Sequence, residues 1–279
     1  MKVRVFSLLL VAAVVLLSLS LHGCAPASKT TRAGDSRRTL RVLFVGNSYT
    51  IYNDLPWVTS QLSLSAGVDR PLEVKSVSLM GATLKEHWDD GFALKEIRDD
   101  GPWDYVVLQG QSLKPIVDPE ELREYSLLFD KEIKAAGART ILFVTWARRA
   151  HPEQQPVINT VYEDVARETG ATLAPVGPAW QDALEADPNI PLYRNDVDNH
   201  PAEAGTYLAA CVIYSIIYRK SPEGLTAEIT DRGMSRHEFD PVGDALKNVK
   251  KEPFTIPEAQ ARMLQRVAWA AVERAGSGV

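Results

Sequence analysis

Cysteine is nearly absent: the 279 residues contain two, Cys24 and Cys211. That excludes a disulfide framework and any metal site built from several thiolates. Excess positive charge is missing too. The formal net charge is −5, so the electrostatic footprint of a nucleic-acid binder is lacking. No Gly-x-Ser-x-Gly occurs at mid-chain, since Gly110-Gln111-Ser112 lacks the second glycine. The nucleophile elbow of the α/β-hydrolases is therefore ruled out. No glycine-rich phosphate loop follows a strand pattern, which leaves nucleotide binding without support. His87, within Glu86-His87-Trp88-Asp89-Asp90, and His237, within His237-Glu238-Phe239-Asp240, match no metal-ligand spacing. Both read as surface polar patches, and neither a metal nor a cofactor is expected. Internal repeats and low-complexity tracts are also absent.

What is present is an ordinary globular composition, 45% hydrophobic and 24% charged, on a chain long enough for one substantial core. The N-terminus departs from it. Lys2 and Arg4 precede an apolar stretch over residues 6–21, which ends in Leu21-His22-Gly23-Cys24. This resembles a bacterial lipoprotein signal peptide, residues 1–23, with Cys24 as the acylated residue. Residues 24–39 are rich in Ser, Thr, Ala and Arg and read as a flexible tether. Diacylation of Cys24 would supply the two chains that stable anchoring needs. The protein is then expected in the bacterial cell envelope, held to a membrane and facing the periplasm or exterior. Ala25 stands where lipoproteins kept at the inner membrane carry Asp, which points to the outer membrane. An uncleaved apolar anchor is the alternative, though the stretch is short for a spanning helix. Cys211, left without a partner inside an apolar helical pattern, is expected as a buried free thiol.

From residue 40 onward, strand and helix patterns alternate. Short apolar runs cover residues 40–45, 72–79, 105–108, 140–144 and 172–176. Helical patterns lie between and after them, over 55–66, 84–98, 119–136, 154–168 and 179–186, then 202–218 and 256–275. Continuous apolar strands separated by helices predict an α/β domain with a parallel sheet of about five strands, covered on both faces. Residues 221–254 are polar and poorly periodic and read as a loop or flap. In such a sheet, functional residues gather beyond the carboxyl ends of the strands.

Those ends carry a consistent inventory. The first run closes on Gly46-Asn47-Ser48, the second on Leu79-Met80-Gly81-Ala82, the third on Gln109-Gly110-Gln111-Ser112, and the fourth on Thr145-Trp146. His200-Pro201 opens the long helical pattern at 202–218, preceded by Asp196 and Asp198. A hydroxyl, a loop glycine, a side-chain amide and an imidazole at one sheet edge are the parts of a serine hydrolase. Trp146 and Trp180 follow strands and could wall a substrate cleft, or serve as core or rim packing. His151 opens the helix after the fourth strand.

This order of blocks resembles the SGNH (GDSL-like) hydrolase superfamily, in particular an esterase-like branch with a Gln-rich third block. The residues 200–210, His-Pro-Ala-Glu-Ala-Gly-Thr-Tyr-Leu-Ala-Ala, resemble that family's His-Pro block and the helix after it. The resemblance implies a three-layer, flavodoxin-like fold over residues 40–279. It implies Ser48 as nucleophile and His200 as base. The backbone N–H groups of Ser48 and Gly81 would then form the oxyanion hole. Two departures stand out. The family's Asn after the third strand is missing, so Gln109, or alternatively Gln111, would supply the third donor. The position three before His200 is Val197, so Asp198, or else Asp196, would orient the imidazole.

The activity so implied is acyl transfer without a cofactor: hydrolysis of small acyl esters, acetyl esters among them, on a small molecule or a glycan. A non-catalytic glycan-binding envelope protein on the same scaffold is the alternative. A lipase or lysophospholipase is a third reading, suggested by the membrane tether alone.

Overall fold

The computed structural model describes residues 39–194, 199–230, 237–239 and 253–276, the backbone alone for 237–239. The signal peptide, Cys24 and most of the tether lie outside these, as do Asp196 and Asp198. Among the described residues no helix is long and apolar enough to cross a membrane.

The chain begins with β1 (Leu40–Gly46), α1 (Ser48–Ile51), α2 (Leu55–Ser65), β2 (Leu72–Ser78), α3 (Leu84–Asp90), α4 (Phe92–Asp99) and β3 (Tyr105–Leu108). It continues with α5 (Lys114–Val117), α6 (Pro119–Ala135), β4 (Arg139–Phe143), α7 (Gln155–Thr169), β5 (Thr172–Ala174) and α8 (Val176–Ala186). Then follow α9 (Glu203–Tyr218), β6 (Glu228–Ile229), β7 (His237–Phe239), β8 (Phe254–Thr255) and α10 (Glu258–Gly276). The main sheet runs β5-β4-β3-β1-β2-β7, and every pairing in it is parallel. β6 and β8 form a separate antiparallel pair.

Strand β1 shows why the fold has three layers. Its residues 42–45 are wholly buried, and successive side chains point to opposite faces. Val42 and Phe44 join Val74, Val107, Ile141 and Phe143 in one core, with side chains of α2, α8, α9 and α10. Leu43 and Val45 join Val77, Val106, Leu108 and Leu142 in the other, with side chains of α3, α4, α6 and α7. A strand buried on both faces must be apolar throughout, and that is the pattern the sequence carries. Burying one such Phe or Leu contributes about 1.5–3 kcal/mol. Helix α9 is apolar nearly all round because it packs between α2, α8 and α10 rather than facing water.

Five strands follow the expected order, and the structure adds two details the pattern did not show. The helix expected over 84–98 is broken: Gly91, at φ +76°, ends α3 and starts α4. A side chain at that backbone conformation would be strained, and Gly is free of the strain. Part of the segment read as a loop or flap is structured. Residues 237–239 add a sixth strand beside β2, and the β6–β8 pair frames the same segment. Gly170, at φ +68°, is the C-cap of α7.

Candidate active site

The carboxyl end of β1 passes directly into α1, and this junction sets the position of Ser48. Asn47 is the N-cap; its Oδ1 accepts the Tyr49 N–H at 3.2 Å. Its Nδ2 donates to the Ala82 carbonyl at 2.9 Å, which ties the junction to the loop after β2. Its own N–H donates to Gln109 Oε1 at 2.9 Å, and the Thr50 hydroxyl donates to the same oxygen at 3.0 Å. Ser48 is thus the first residue of a helix, where the N–H has no intrahelical acceptor and points outward. Two positions before Ser48, at the end of β1, there is room only for glycine. A Cβ on Gly46 would lie 2.4 Å from Thr50 Oγ1 and 2.7 Å from Gln109 Oε1.

Ser48 Oγ and His200 Nε2 are 3.0 Å apart, across 152 positions of sequence. That is hydrogen-bond reach for a nucleophile and its base. For Nε2 to accept the hydroxyl proton, the ring proton must sit on Nδ1. The imidazole stands against Tyr52, ring centroids 4.4 Å apart, and meets the edge of Tyr49 at 6.0 Å. The chain around it is braced on several sides. Arg194 N–H donates to the His200 carbonyl at 2.9 Å, and Asn53 Nδ2 donates to the Pro201 carbonyl at 3.0 Å. Asn53 Nδ2 also reaches Thr206 Oγ1 at 2.9 Å, so the turn after α1 is fastened to the first turns of α9.

Gly81 lies in the loop after β2, exposed and at φ +74°. In that loop Ala82, not Gly81, donates to the Leu79 carbonyl, at 3.1 Å. The capping box at the start of α3 anchors the loop. Glu86 N–H donates to Thr83 Oγ1 at 3.1 Å, and Thr83 N–H donates to Glu86 Oε2 at 2.8 Å.

The two glutamines of the third block differ sharply. Gln109 is buried beneath the Ser48 junction, its oxygen taken by Asn47 and Thr50 and its Nε2 donating to the Gly110 carbonyl at 2.5 Å. In this state Gln109 braces the junction. Gln111 is half-buried, its Oε1 accepting the Leu113 N–H at 2.7 Å.

Trp146 and Trp180 do not present faces to an open cleft; each is 1% exposed. They belong to a three-ring stack, Tyr49 on Trp146 at 4.1 Å and Trp146 on Trp180 at 4.0 Å, all nearly parallel. Their aromatic area is used inside the molecule, behind Ser48 and Tyr49. His151 is exposed and turns toward Glu153 at 3.2 Å. Cys211 is a buried free thiol, and burial pushes its pKa well up, so it is inert as a nucleophile. No group of residues suited to a metal ion occurs among the described residues.

His87 corrects the reading of a surface patch. It is fully buried on α3, and its Nε2 donates to the Gly46 carbonyl at 2.7 Å. Its Nδ1 is also buried and makes no hydrogen bond among the described residues. Burial lowers its pKa, against the opposing pull of the Gly46 bond. His87 is therefore neutral and braces the end of β1 from below. Asn47, Asn53 and Tyr52 are further contributors that residue type alone did not single out. The signal for Asn47 was its place before Ser48, an N-cap position that Asn favours.

No family model matches the chain, and neither does any curated protein. Solved structures do. A protein of Slackia heliotrinireducens described as a candidate SGNH hydrolase is 27% identical, with a TM-score of 0.56 over 64% of this chain and 99% of that one. The fold is that of the SGNH hydrolases. A DUF4886 family protein from Bacteroides uniformis is 18% identical, with a TM-score of 0.62 over 84% of this chain and 95% of that one. A lipase/acylhydrolase from Enterococcus faecalis is 15% identical, with a TM-score of 0.51 over 66% of this chain and 98% of that one. The Slackia protein carries the SGNH hydrolase description, and the other two show likeness of fold alone.

Proposed function

We propose that this protein is a serine esterase that cleaves small acyl esters, acetyl esters among them, through an acyl-enzyme on Ser48. The observation that carries the reading is the 3.0 Å approach of Ser48 Oγ to His200 Nε2 at the carboxyl edge of a parallel sheet. His200 takes the hydroxyl proton as Oγ attacks the ester carbonyl. The resulting oxyanion is held by the N–H groups of Ser48 and Gly81. His200 then gives its proton to the leaving alcohol, and later activates the water that hydrolyses the acyl-enzyme. Asp198, with Asp196 as the alternative, is the proposed partner of His200 Nδ1. The third oxyanion donor is Gln109 or Gln111. Gln109 serves only if its Nε2 leaves the Gly110 carbonyl when substrate arrives.

The preference for small acyl groups, and for a small-molecule or glycan alcohol, rests on resemblance to the esterase-like branch. The envelope location rests on the sequence of residues 1–24, with Cys24 as the lipid anchor. The test is hydrolysis of p-nitrophenyl acetate, butyrate and octanoate by the soluble domain beside Ser48→Ala. Esterase chemistry predicts turnover that Ser48→Ala abolishes and that falls from acetate to octanoate. Equal rates for both proteins would leave a binding role on this scaffold. A preference for octanoate would favour the lipase reading.

A further inference from the structure

The Ser48–His200 pair joins residues 152 positions apart in the sequence, so something must set their register. Trp146 touches both sides. Its ring lies on Tyr49, the residue after Ser48, at 4.1 Å and 6° between planes. Its Nε1–H donates to the backbone carbonyl of Asn199, the residue before His200, at 3.2 Å. Asn199 is itself unusual. It holds φ +63°, a conformation that non-glycine residues adopt rarely and Asn best of them. Its Oδ1 accepts the Arg149 N–H at 2.8 Å. Both donors, Trp146 and Arg149, come from the segment that leaves β4, so Asn199 is held twice by one loop.

That loop is fixed in turn. Trp180 backs Trp146 at 4.0 Å. Gln155 imitates a neighbouring strand, accepting the Ala147 N–H at 2.7 Å and donating to the Thr145 carbonyl at 3.1 Å. Tyr193 donates its hydroxyl proton to the Ala147 carbonyl at 2.8 Å. The β4 loop is a rigid reference to which both halves of the site are attached.

We propose that Asn199 and Trp146 are positioning residues that set the distance and angle between Ser48 and His200. Neither touches the reacting atoms. Asn199 contributes through its left-handed backbone and its Oδ1, and Trp146 through its Nε1–H and its stack on Tyr49. The inference rests on the esterase reading of the same pair.

Three variants separate the parts. Asn199→Gly keeps the backbone conformation and loses the Oδ1 acceptor. Asn199→Asp keeps an acceptor. Trp146→Phe keeps a stacked ring and loses the Nε1–H. With p-nitrophenyl acetate, Asn199→Gly and Trp146→Phe should lower kcat by about 10- to 100-fold while KM changes little, because misplacement of about 1 Å costs up to 10²-fold. Asn199→Asp should keep kcat within about threefold, by the same reasoning. It should also move the acid limb of kcat/KM to higher pH, because a carboxylate beside His200 favours the imidazolium. Thermal unfolding of each variant shows that the fold persists at the assay temperature. The His200 C2–H resonance, followed against pH, reads the imidazole without turnover. Its titration midpoint should shift in Asn199→Gly relative to wild type.

Wild-type kcat and an unshifted His200 titration in Asn199→Gly would overturn the proposal. So would Asn199→Asp being as slow as Asn199→Gly. Failure of the esterase reading has a separate signature, turnover that is the same in wild type and Ser48→Ala. The histidine titration then decides the positioning question alone.

Discussion

Replacing Gly46 by alanine puts a methyl group where the structure has no room. Its Cβ would sit 2.4 Å from Thr50 Oγ1 and 2.7 Å from Gln109 Oε1. Those two atoms are themselves hydrogen-bonded at 3.0 Å, and Oε1 also holds the Asn47 N–H. The methyl must therefore displace a buried polar cluster. Overpacking costs about 1–3 kcal/mol, and a buried donor left without its acceptor about 1–3 more, so Gly46→Ala should destabilise by about 2–6 kcal/mol. Thr50→Ala alone should cost about 0.5–1.5 kcal/mol, one net hydrogen bond. It also removes the closest contact. The double variant should then be more stable than the sum of the two single losses predicts, by about 1 kcal/mol or more. Urea unfolding at constant m measures all three. Turnover of p-nitrophenyl acetate should fall with Gly46→Ala and recover in part in the double variant. Losses that add to within about 0.5 kcal/mol would refute the steric argument, since uncoupled sites behave that way.

Three further outcomes follow from the same geometry. Trp180→Ala should cost about 3–5 kcal/mol in urea unfolding, as buried aromatics do, with KM for p-nitrophenyl acetate within about twofold of wild type because the ring forms no cleft wall. His87 is held neutral by burial, its pKa below the ordinary value, so the unfolded chain binds a proton there first. Stability from this group is full above about pH 6.5 and is lost as pH falls toward the depressed native value. Wild type should therefore lose more stability than His87→Gln between pH 7 and pH 5 by urea unfolding, and equal losses would contradict neutral burial. Cys24→Ala should release the protein from membranes on fractionation, whereas complete retention would favour an uncleaved apolar helix.

Much of the architecture was legible because parallel strands buried on both faces must be continuously apolar, and residues 42–45 and 105–108 show this directly. The strand ends were legible for the same reason: once the strands are placed, Ser48, Gly81 and the glutamines fall at one edge. His200 was legible through the block after it. What escaped the sequence depends on tertiary contact. His87 sits among Glu86, Asp89 and Asp90, a polar neighbourhood that conceals one inward-facing position, three residues after the buried Leu84. Gln109 has the chemistry of an oxyanion donor, yet its Nε2 donates to the Gly110 carbonyl while its oxygen holds Asn47 and Thr50, which only the folded junction reveals. Trp146 and Trp180 follow strands, as cleft residues do, and instead stack on Tyr49 and each other. The sixth strand is three residues long, too short for a periodic signal, and pairs with the edge of β2.

The central claim is that Ser48 is a nucleophile activated by His200. An organophosphonate ester that captures activated serines tests it by intact-protein mass and peptide mapping. The account predicts one adduct per chain, on Ser48, absent from Ser48→Ala and strongly slowed in His200→Ala. No adduct on the folded wild-type protein, or labelling at equal rates in all three, would contradict it.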